Sequence, residues 1–250
     1  MELLDAGINV LSAVNIQHIE SLNDEVRTMV GIDVRERIPD SVIREADEVV
    51  NIDLTAEELV ERLKAGKIYA REKIQTALDN FFKTDNILQL RELALKEVAL
   101  RVGKKVADEV MPKTRNARGV AKLVVCVSSN NATQQHIIRK AARMADIHDA
   151  ELVALYVQTP GENTDSIPLN TQRHLINHLE LVVELGGKVH KVESDNVFQS
   201  IADFCREQRA TMLCMGQPSL SLPRLLMKAG RYRRILAELK EMGIDLMIIA

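Results

Sequence analysis

The sequence of 250 residues lacks tryptophan and holds only four phenylalanines and three tyrosines, so its core must be built from aliphatic side chains. It also lacks an excess of positive charge. The net charge is −3, which argues against a nucleic-acid partner. No apolar run approaches the roughly 18 residues of a membrane-spanning helix, and the acidic start of the chain is not typical of a signal peptide. We therefore expect a globular cytoplasmic protein without a transmembrane segment.

Cysteine is scarce as well. Cys126, Cys205 and Cys214 lie far apart and form no Cys-x-x-Cys pair. This spacing is typical of neither a disulfide framework nor a metal site. We interpret all three as reduced, buried and unreactive thiols, because free cysteine behaves as a small apolar residue.

A phosphate-binding P-loop is absent too. Such a loop has a glycine five residues before a Gly-Lys pair that is followed by serine or threonine. The Gly-Lys pairs at 66–67, 103–104 and 187–188 have neither feature, and we interpret them as helix ends and turns. No set of nucleophile, base and orienting group can be assembled from the motifs, so we predict that the chain as it stands is not an enzyme.

The segment 111–119 is polar and basic, which is typical of a linker. It divides the chain into a first part, residues 1–110, and a second part, residues 120–250. In the first part, apolar residues predict strands over 6–16 and 48–54. If these strands belong to a sheet whose first strands are missing, one flank of that sheet is an open apolar edge. We therefore expect the first part to be poorly stable alone, or to associate with another chain.

Helices are predicted between and after these strands. One helix is expected over 21–30, ending at Gly31. Thr55 followed by Glu58 is typical of a capping box, which predicts a helix start there. An amphipathic helix over 70–82 and a long helix from about Asp85 onward complete the first part.

The second part alternates apolar strands with amphipathic helices. Strands so uniformly apolar are typical of a sheet that is buried on both faces. Short connections through helices favour a doubly wound parallel sheet of the α/β class. The strands are predicted at 122–127, 151–157, 188–192, 212–215 and 245–249, and the helices at 132–147, 169–185, 197–209 and 224–242.

Six sequence blocks of the first part, in unbroken order, closely resemble the N-terminal domain of the KdpD family of bacterial potassium and turgor sensor kinases. Residues 120–250 resemble the universal stress protein module that follows that domain in the same family. The resemblance implies an incomplete P-loop-type domain, its C-terminal part only, over 1–110, and a five-stranded Rossmann-like sheet over 120–250. The six blocks are Asn15–Asp24, Arg35–Asp40, Glu45–Glu48, Glu57–Tyr69, Ala77–Phe82 and Leu90–Leu95.

The resemblance implies a regulatory input module of a potassium- or turgor-responsive two-component phosphorelay. The P-loop, transmembrane helices and kinase core of complete relatives have no counterpart in this sequence. We therefore expect that the phosphate-binding half either lies upstream of Met1 or is never made. The implied partner is a separate sensor kinase or P-loop chain, or a second copy bound through the first part. The alternatives are a free-standing universal-stress-type nucleotide-binding protein and a non-functional remnant of a sensor kinase gene.

The resemblance also implies a nucleotide site in the loops after the first and fourth strands of the sheet. ATP-binding universal stress proteins show Gly-x-x-Gly and later Gly-Ser or Gly-Thr. Here Gly216 and Gln217 begin the first element, Ser219 replaces its second glycine, and Gly230 stands near the later position. These departures, and the lost N–H of Pro218, weaken the phosphate cradle, so ATP is the less favoured ligand.

Cyclic di-AMP is the other ligand that the resemblance implies. In relatives that bind it, the pattern resembles Ser-x-Ser after the first strand and Phe-Thr-Ala-x-Tyr at the second strand. Ser128, Ser129 and Asn130 stand at the first element, and Ala154 and Tyr156 match the second. Leucine replaces the stacking aromatic residue at position 152. An empty or unknown ligand site remains the alternative.

Three histidines complete the candidates. His18 stands in the first resembling block, just past a predicted strand, where a functional role or a hydrogen bond to local backbone is expected. His174 and His178 are four residues apart on one predicted helix, a spacing that could hold a metal. No third ligand is evident nearby, so we predict no metal site and interpret them as solvated or capping histidines.

Overall fold

The computed structural model describes residues 2–31, 33–110, 120–129, 133–162, 167–217 and 222–250, with side chains throughout except at 103–110, 222–229 and 231–232. The predicted linker at 111–119 lies outside the described residues. The chain divides into two compact units. The first unit consists of the residues up to Ile38 and Asp47–Ala99, and the second of Pro39–Ala46 and Leu100–Ala250.

The part of the chain before residue 111 is helical. Two short 3₁₀ helices, Ile16–His18 and Glu20–Leu22, lead into the second α-helix. Gly103, which we interpreted as a helix end, instead lies inside a long helix, where a single glycine costs only about 1 kcal/mol. The α-helices are α1 (Glu2–Asp5), α2 (Asn23–Val30), α3 (Asp40–Arg44), α4 (Ala56–Lys64), α5 (Arg71–Asn80) and α6 (Thr84–Val110).

Local sequence signals explain where α2 and α4 begin or end. Helix α2 ends at Gly31, whose φ of 71° is left-handed and therefore suits glycine. At α4, the Glu58 N–H donates to Thr55 Oγ1 (3.2 Å), and the Thr55 N–H donates to Glu58 Oε2 (3.1 Å). The predicted capping box is confirmed.

The prediction of strands over 6–16 and 48–54 is wrong. The described residues of the first unit contain no strand ladder, and among them a single isolated β-bridge pairs Ile19 with Ile38. A strand needs a neighbouring chain for its N–H and C=O groups, and sequence alone does not show whether one is nearby. The apolar residues of both segments are largely exposed, with Leu11 and Ile52 the most exposed.

The second unit is built on one parallel sheet in the order β3-β2-β1-β4-β5. The predicted doubly wound, five-stranded sheet is thereby confirmed. Its strands are β1 (Lys122–Val127), β2 (Glu151–Gln158), β3 (Lys188–Glu193), β4 (Met212–Gly216) and β5 (Asp245–Ile249). The helices between them are α7 (Gln134–Ile147), α8 (Leu169–Glu184), α9 (Val197–Gln208) and α10 (Leu222–Glu241).

Both faces of the sheet are buried. Along β1, Leu123 and Val125 belong to a core shared with α7 and α8, whereas Val124 belongs to a second core shared with α9 and α10. This explains why β1, β2 and β4 are largely apolar, since successive side chains enter different cores. The edge strand β3 carries polar and charged residues and is partly exposed.

The three cysteines lie in these cores as free thiols, with Cys205 and Cys214 buried and Cys126 half-buried. Burial raises the pKa of the Cys205 and Cys214 thiols to about 12, and it also raises the pKa of Cys126. All three thiols therefore stay protonated at neutral pH, in agreement with their interpretation as unreactive.

The turn between α8 and β3 carries a glycine that packing requires. A Cβ atom at Gly187 would lie 2.8 Å from Val182 Cγ1 and 2.9 Å from Leu152 Cδ2, both on core side chains. We expect Gly187→Ala to lower the free energy of unfolding by about 2 kcal/mol, because overpacking forces neighbouring side chains to shift. Urea denaturation followed by circular dichroism measures this effect.

Gly230→Ala is the matched control for this prediction. Gly230 lies in α10, is exposed, and would give a Cβ atom no neighbour within 4 Å. Its replacement should raise stability by up to about 1 kcal/mol, because alanine favours a helix. A neutral or stabilising Gly187→Ala variant would show that the turn adapts.

Candidate functional site

The strand order reverses between β1 and β4. The chain moves outward from β1 through β2 to β3 and then returns to β4, on the other side of β1. The register pairs Leu123 with Met212 and Val125 with Cys214, so the loops after β1 and β4 leave the same edge of the sheet. In open parallel sheets, ligands bind outside this carboxyl edge, at the point of reversal. The candidate site therefore lies here.

A buried amide holds the loop after β1. The Ser128 N–H donates to Gln134 Oε1 (3.2 Å), and Gln134 Nε2 donates to the Cys126 carbonyl (3.1 Å). Gln134 begins α7 and is fully buried. Sequence reasoning missed it, although a signal was present, because Gln134 shares the apolar face of α7 with Ile137 and Ile138. The two hydrogen bonds of Gln134 thus hold the loop that carries Ser129 in place.

A carboxylate lies at the same edge. The hydroxyl of Ser129, after β1, donates to Glu162 Oε1. The Thr159 N–H and hydroxyl, after β2, donate to Glu162 Oε2 at 3.2 and 3.0 Å. Glu162 ends a 3₁₀ turn, Pro160–Glu162, and its carbonyl accepts from Gln158 Nε2 at 3.1 Å. Sequence reasoning did not find Glu162 or Thr159, and no motif indicated them.

Tyr156 lies directly below this cluster in β2, paired in register with Val127 of β1. Its side chain is only 3% exposed, and its hydroxyl has no hydrogen-bond partner among the described residues. Burial raises the pKa of Tyr156, the charge of Glu162 raises it further, and the Ser129 hydroxyl opposes the rise. An unsatisfied buried hydroxyl is destabilising by about 1–3 kcal/mol, so a ligand that bonded to it would be favoured.

His178 is a second buried polar group near this edge. Its side chain is 4% exposed and its Nδ1 has no hydrogen-bond partner in the described part of the chain. Burial lowers the pKa of His178, a contact with the Ser128 backbone opposes the shift, and His174 lowers it slightly. The interpretation of His178 as a solvated or capping histidine is therefore wrong. It lies on the face of α8 that packs on the sheet, beside the buried Leu181 and Val182.

The structure brings together only some of the predicted site residues. Ser128, Ser129 and Tyr156 converge at the carboxyl edge. Ala154 does not reach it, because it is fully buried in the middle of β2 and belongs to the core. Asn130 and Ser219 lie outside the described residues.

The predicted phosphate elements after β4 are spread out. Gly216 ends β4 opposite Ile249, and the exposed Gln217 donates its N–H to the Ile249 carbonyl (2.7 Å). Gly230 lies within α10 rather than in a loop, where its N–H belongs to the helix. Among the described residues, the polar donors at this edge lie beside β1 and β2.

His18 lies in the first unit, at the end of a 3₁₀ helix. Its Nδ1 lies 2.7 Å from the Glu36 carbonyl, to which it donates when that nitrogen carries the proton. Its own carbonyl accepts from the Ile38 N–H at 2.7 Å. The structure therefore shows the local backbone bonding that was one of the two expectations for His18, and a functional role stays a prediction.

Metal sites and membrane-spanning helices can be considered for the described ranges. No group of three or more histidine, cysteine, aspartate or glutamate side chains there is placed to hold a metal ion. Within the same ranges, no helix has both the length and the apolar character needed to cross a membrane.

Two families match successive parts of the chain. Residues 1–102 match the family described as "Osmosensitive K+ channel His kinase sensor domain", named KdpD, and residues 119–229 match the universal stress protein family. The chain contains a KdpD sensor domain followed by a universal stress protein domain. The site described above lies in the universal stress protein domain.

Curated relatives carry the same name. A Synechocystis protein named as a sensor protein KdpD is 38% identical over 99% of this chain. The sensor protein KdpD of Mycobacterium tuberculosis strain CDC 1551 is 37% identical over 99% of it, and that of Escherichia coli K12 is 35% identical over 87%. This chain spans 65%, 28% and 24% of the lengths of these three relatives, respectively.

Solved universal stress proteins are similar to about half of the chain. One from Archaeoglobus fulgidus is 16% identical, with a TM-score of 0.40, and covers 53% of this chain and 100% of its own. Another, described in complex with cAMP, is 13% identical, with a TM-score of 0.39, and covers 53% of this chain and 99% of its own.

Proposed function

We propose that the chain is a cytoplasmic sensory input segment of a potassium- or turgor-responsive two-component system. The observation that carries this proposal is the order of its two domains, which relatives named sensor protein KdpD share over nearly the whole of this chain. The phosphotransfer itself belongs to a kinase on a partner chain or on further sequence. The first unit is the part that associates with that partner or with a second copy.

The input would be a nucleotide bound at the carboxyl edge of the sheet, with cyclic di-AMP favoured over ATP. Ser129 and Thr159 place hydroxyl and amide donors there, and the buried Tyr156 hydroxyl, close to Ser129, supplies a further one. Hydroxyl and backbone N–H donors of this kind bind phosphate oxygens and the polar edges of bases. The glycines that an ATP site of this fold would use are not gathered here, since Gly230 lies inside a helix.

Isothermal titration of the purified chain with cyclic di-AMP, with ATP as comparator, tests the ligand assignment. We expect saturable binding of cyclic di-AMP and about tenfold weaker binding by Tyr156→Phe, which loses one hydrogen bond worth about 1.4 kcal/mol. Tyr69→Phe is the matched control, because Tyr69 is an exposed tyrosine of the first unit. Its affinity should equal that of the unaltered chain.

The alternatives give different results in the same titration. Binding of ATP alone would favour a free-standing universal-stress-type nucleotide-binding protein. A folded sample that binds neither ligand would contradict nucleotide input and leave a role in protein docking. A sample that does not fold would favour the remnant of a sensor kinase gene.

A further inference from the structure

The Glu162 side chain already uses the donors that an anionic ligand would need. Its two carboxylate oxygens accept from the Ser129 hydroxyl, the Thr159 N–H and the Thr159 hydroxyl. These donors come from the loops after two neighbouring strands, β1 and β2. They converge on one carboxylate at the carboxyl edge of the sheet, near the buried Tyr156 hydroxyl.

We propose that Glu162 is an internal occupant of the phosphate position, and that a phosphate group of the ligand must displace its carboxylate to bind. The proposal rests on the site of the proposed function, but it does not depend on which nucleotide binds there. Glu162 would thereby set the ligand concentration at which the domain responds.

The chemistry of the donors supports exchange of one anion for another. A carboxylate and a phosphate accept the same hydroxyl and amide hydrogens in short, charge-assisted bonds. They cannot share this position, because two anions within a few ångströms repel each other strongly in a partly buried site. Ser129 is only 4% exposed, so solvent screens the site poorly. Binding of a phosphate therefore requires Glu162 to leave.

The backbone at Glu162 is anchored, whereas, within the described part of the chain, three donors hold its side chain. The Glu162 N–H donates to the Thr159 carbonyl (2.8 Å), and the Glu162 carbonyl accepts from Gln158 Nε2 (3.1 Å). Rotation about the side-chain bonds alone would therefore release Ser129 and Thr159 without disrupting the turn. The expected change on binding is local.

The apparent affinity for the ligand equals the intrinsic affinity multiplied by the fraction of time for which the donors are free. If Glu162 occupies them for about nine-tenths of the time, its removal should tighten ligand binding about tenfold. A glutamate that instead helped to bind the ligand would give the opposite result on removal.

The test titrates the full chain and its Glu162→Ala and Glu162→Gln variants with cyclic di-AMP and, separately, with inorganic phosphate. Glu184→Ala is the matched control, because it removes the same charge from an exposed residue at the last position of α8, which leads to the opposite edge of the sheet. We expect Glu162→Ala to bind cyclic di-AMP about tenfold tighter, Glu162→Gln to gain less, and Glu184→Ala to bind as the unaltered chain does.

The two probes separate this proposal from the choice of nucleotide. Phosphate that binds Glu162→Ala but not the unaltered chain supports displacement of Glu162, even if cyclic di-AMP binds neither. Folded Glu162 variants that bind both probes no more tightly than the unaltered chain overturn the proposal. The neutral Glu162→Gln variant keeps the shape of the turn and decides the outcome if Glu162→Ala does not fold.

Discussion

Asp146→Ala is expected to lower the free energy of unfolding of the second unit by about 3 kcal/mol. Arg101 of α6 and Asp146 of α7 form an ion pair with an Nη2–Oδ2 distance of 3.0 Å. Their side chains are only 8% and 18% exposed. Removal of the carboxylate leaves a guanidinium charge in a poorly hydrated place, which is far more destabilising than the loss of a surface pair. Urea denaturation followed by circular dichroism measures the change.

Asp203→Ala is the matched control for the ion pair. Asp203 pairs with Arg206 at 2.8 Å, but both side chains are 55% exposed. Water and salt screen that pair, so its loss should cost less than about 1 kcal/mol. The double variant Arg101→Met, Asp146→Leu should recover most of the stability, since neither charge remains in the buried place. Equal effects of Asp146→Ala and Asp203→Ala would contradict the role assigned to burial.

The second large effect is expected at Gln134. Gln134→Leu removes the hydrogen bonds to the Ser128 N–H and the Cys126 carbonyl and places an apolar side chain between them. Loss of partners at buried polar groups costs about 1–3 kcal/mol each, so we expect a stability loss of about 3 kcal/mol. Because the loop then loses its support, Ser129 should be displaced and cyclic di-AMP binding weakened. Urea denaturation and isothermal titration measure the two effects.

Gln135→Leu is the matched control, because the neighbouring Gln135 is exposed and is the second residue of the same helix. A surface substitution of this kind should change stability by less than about 0.5 kcal/mol. Amide hydrogen exchange at Ser128 should accelerate in Gln134→Leu and not in Gln135→Leu. Unchanged exchange at Ser128 in both variants would show that Gln134 does not hold the loop.

The candidate site was predicted in part. The resemblance to universal stress proteins, whose nucleotide lies at the carboxyl edge where strand order reverses, led to Ser128 and Ser129. The family resemblance led to Tyr156. Glu162 and Thr159 were not found, because they become site residues only when the loop after β2 meets the loop after β1. Gly230 was proposed because it stands near the later glycine position of ATP-binding universal stress proteins, and the structure places it within α10.

The sequence by itself determined the local elements of this protein. Thr55 and Glu58 define a helix start through hydrogen bonds within four residues, and the apolar runs at β1, β2 and β4 mark three strands of the second unit. The capping box is readable because its interacting groups are neighbours along the chain, and the strands are readable because burial on both faces demands apolar residues at successive positions. Only the tertiary structure decided that the apolar segments 6–16 and 48–54 are not strands, since a strand depends on a partner distant in sequence. For the same reason, only the tertiary structure brought Glu162 to Ser129, because that contact requires β1 and β2 to lie side by side.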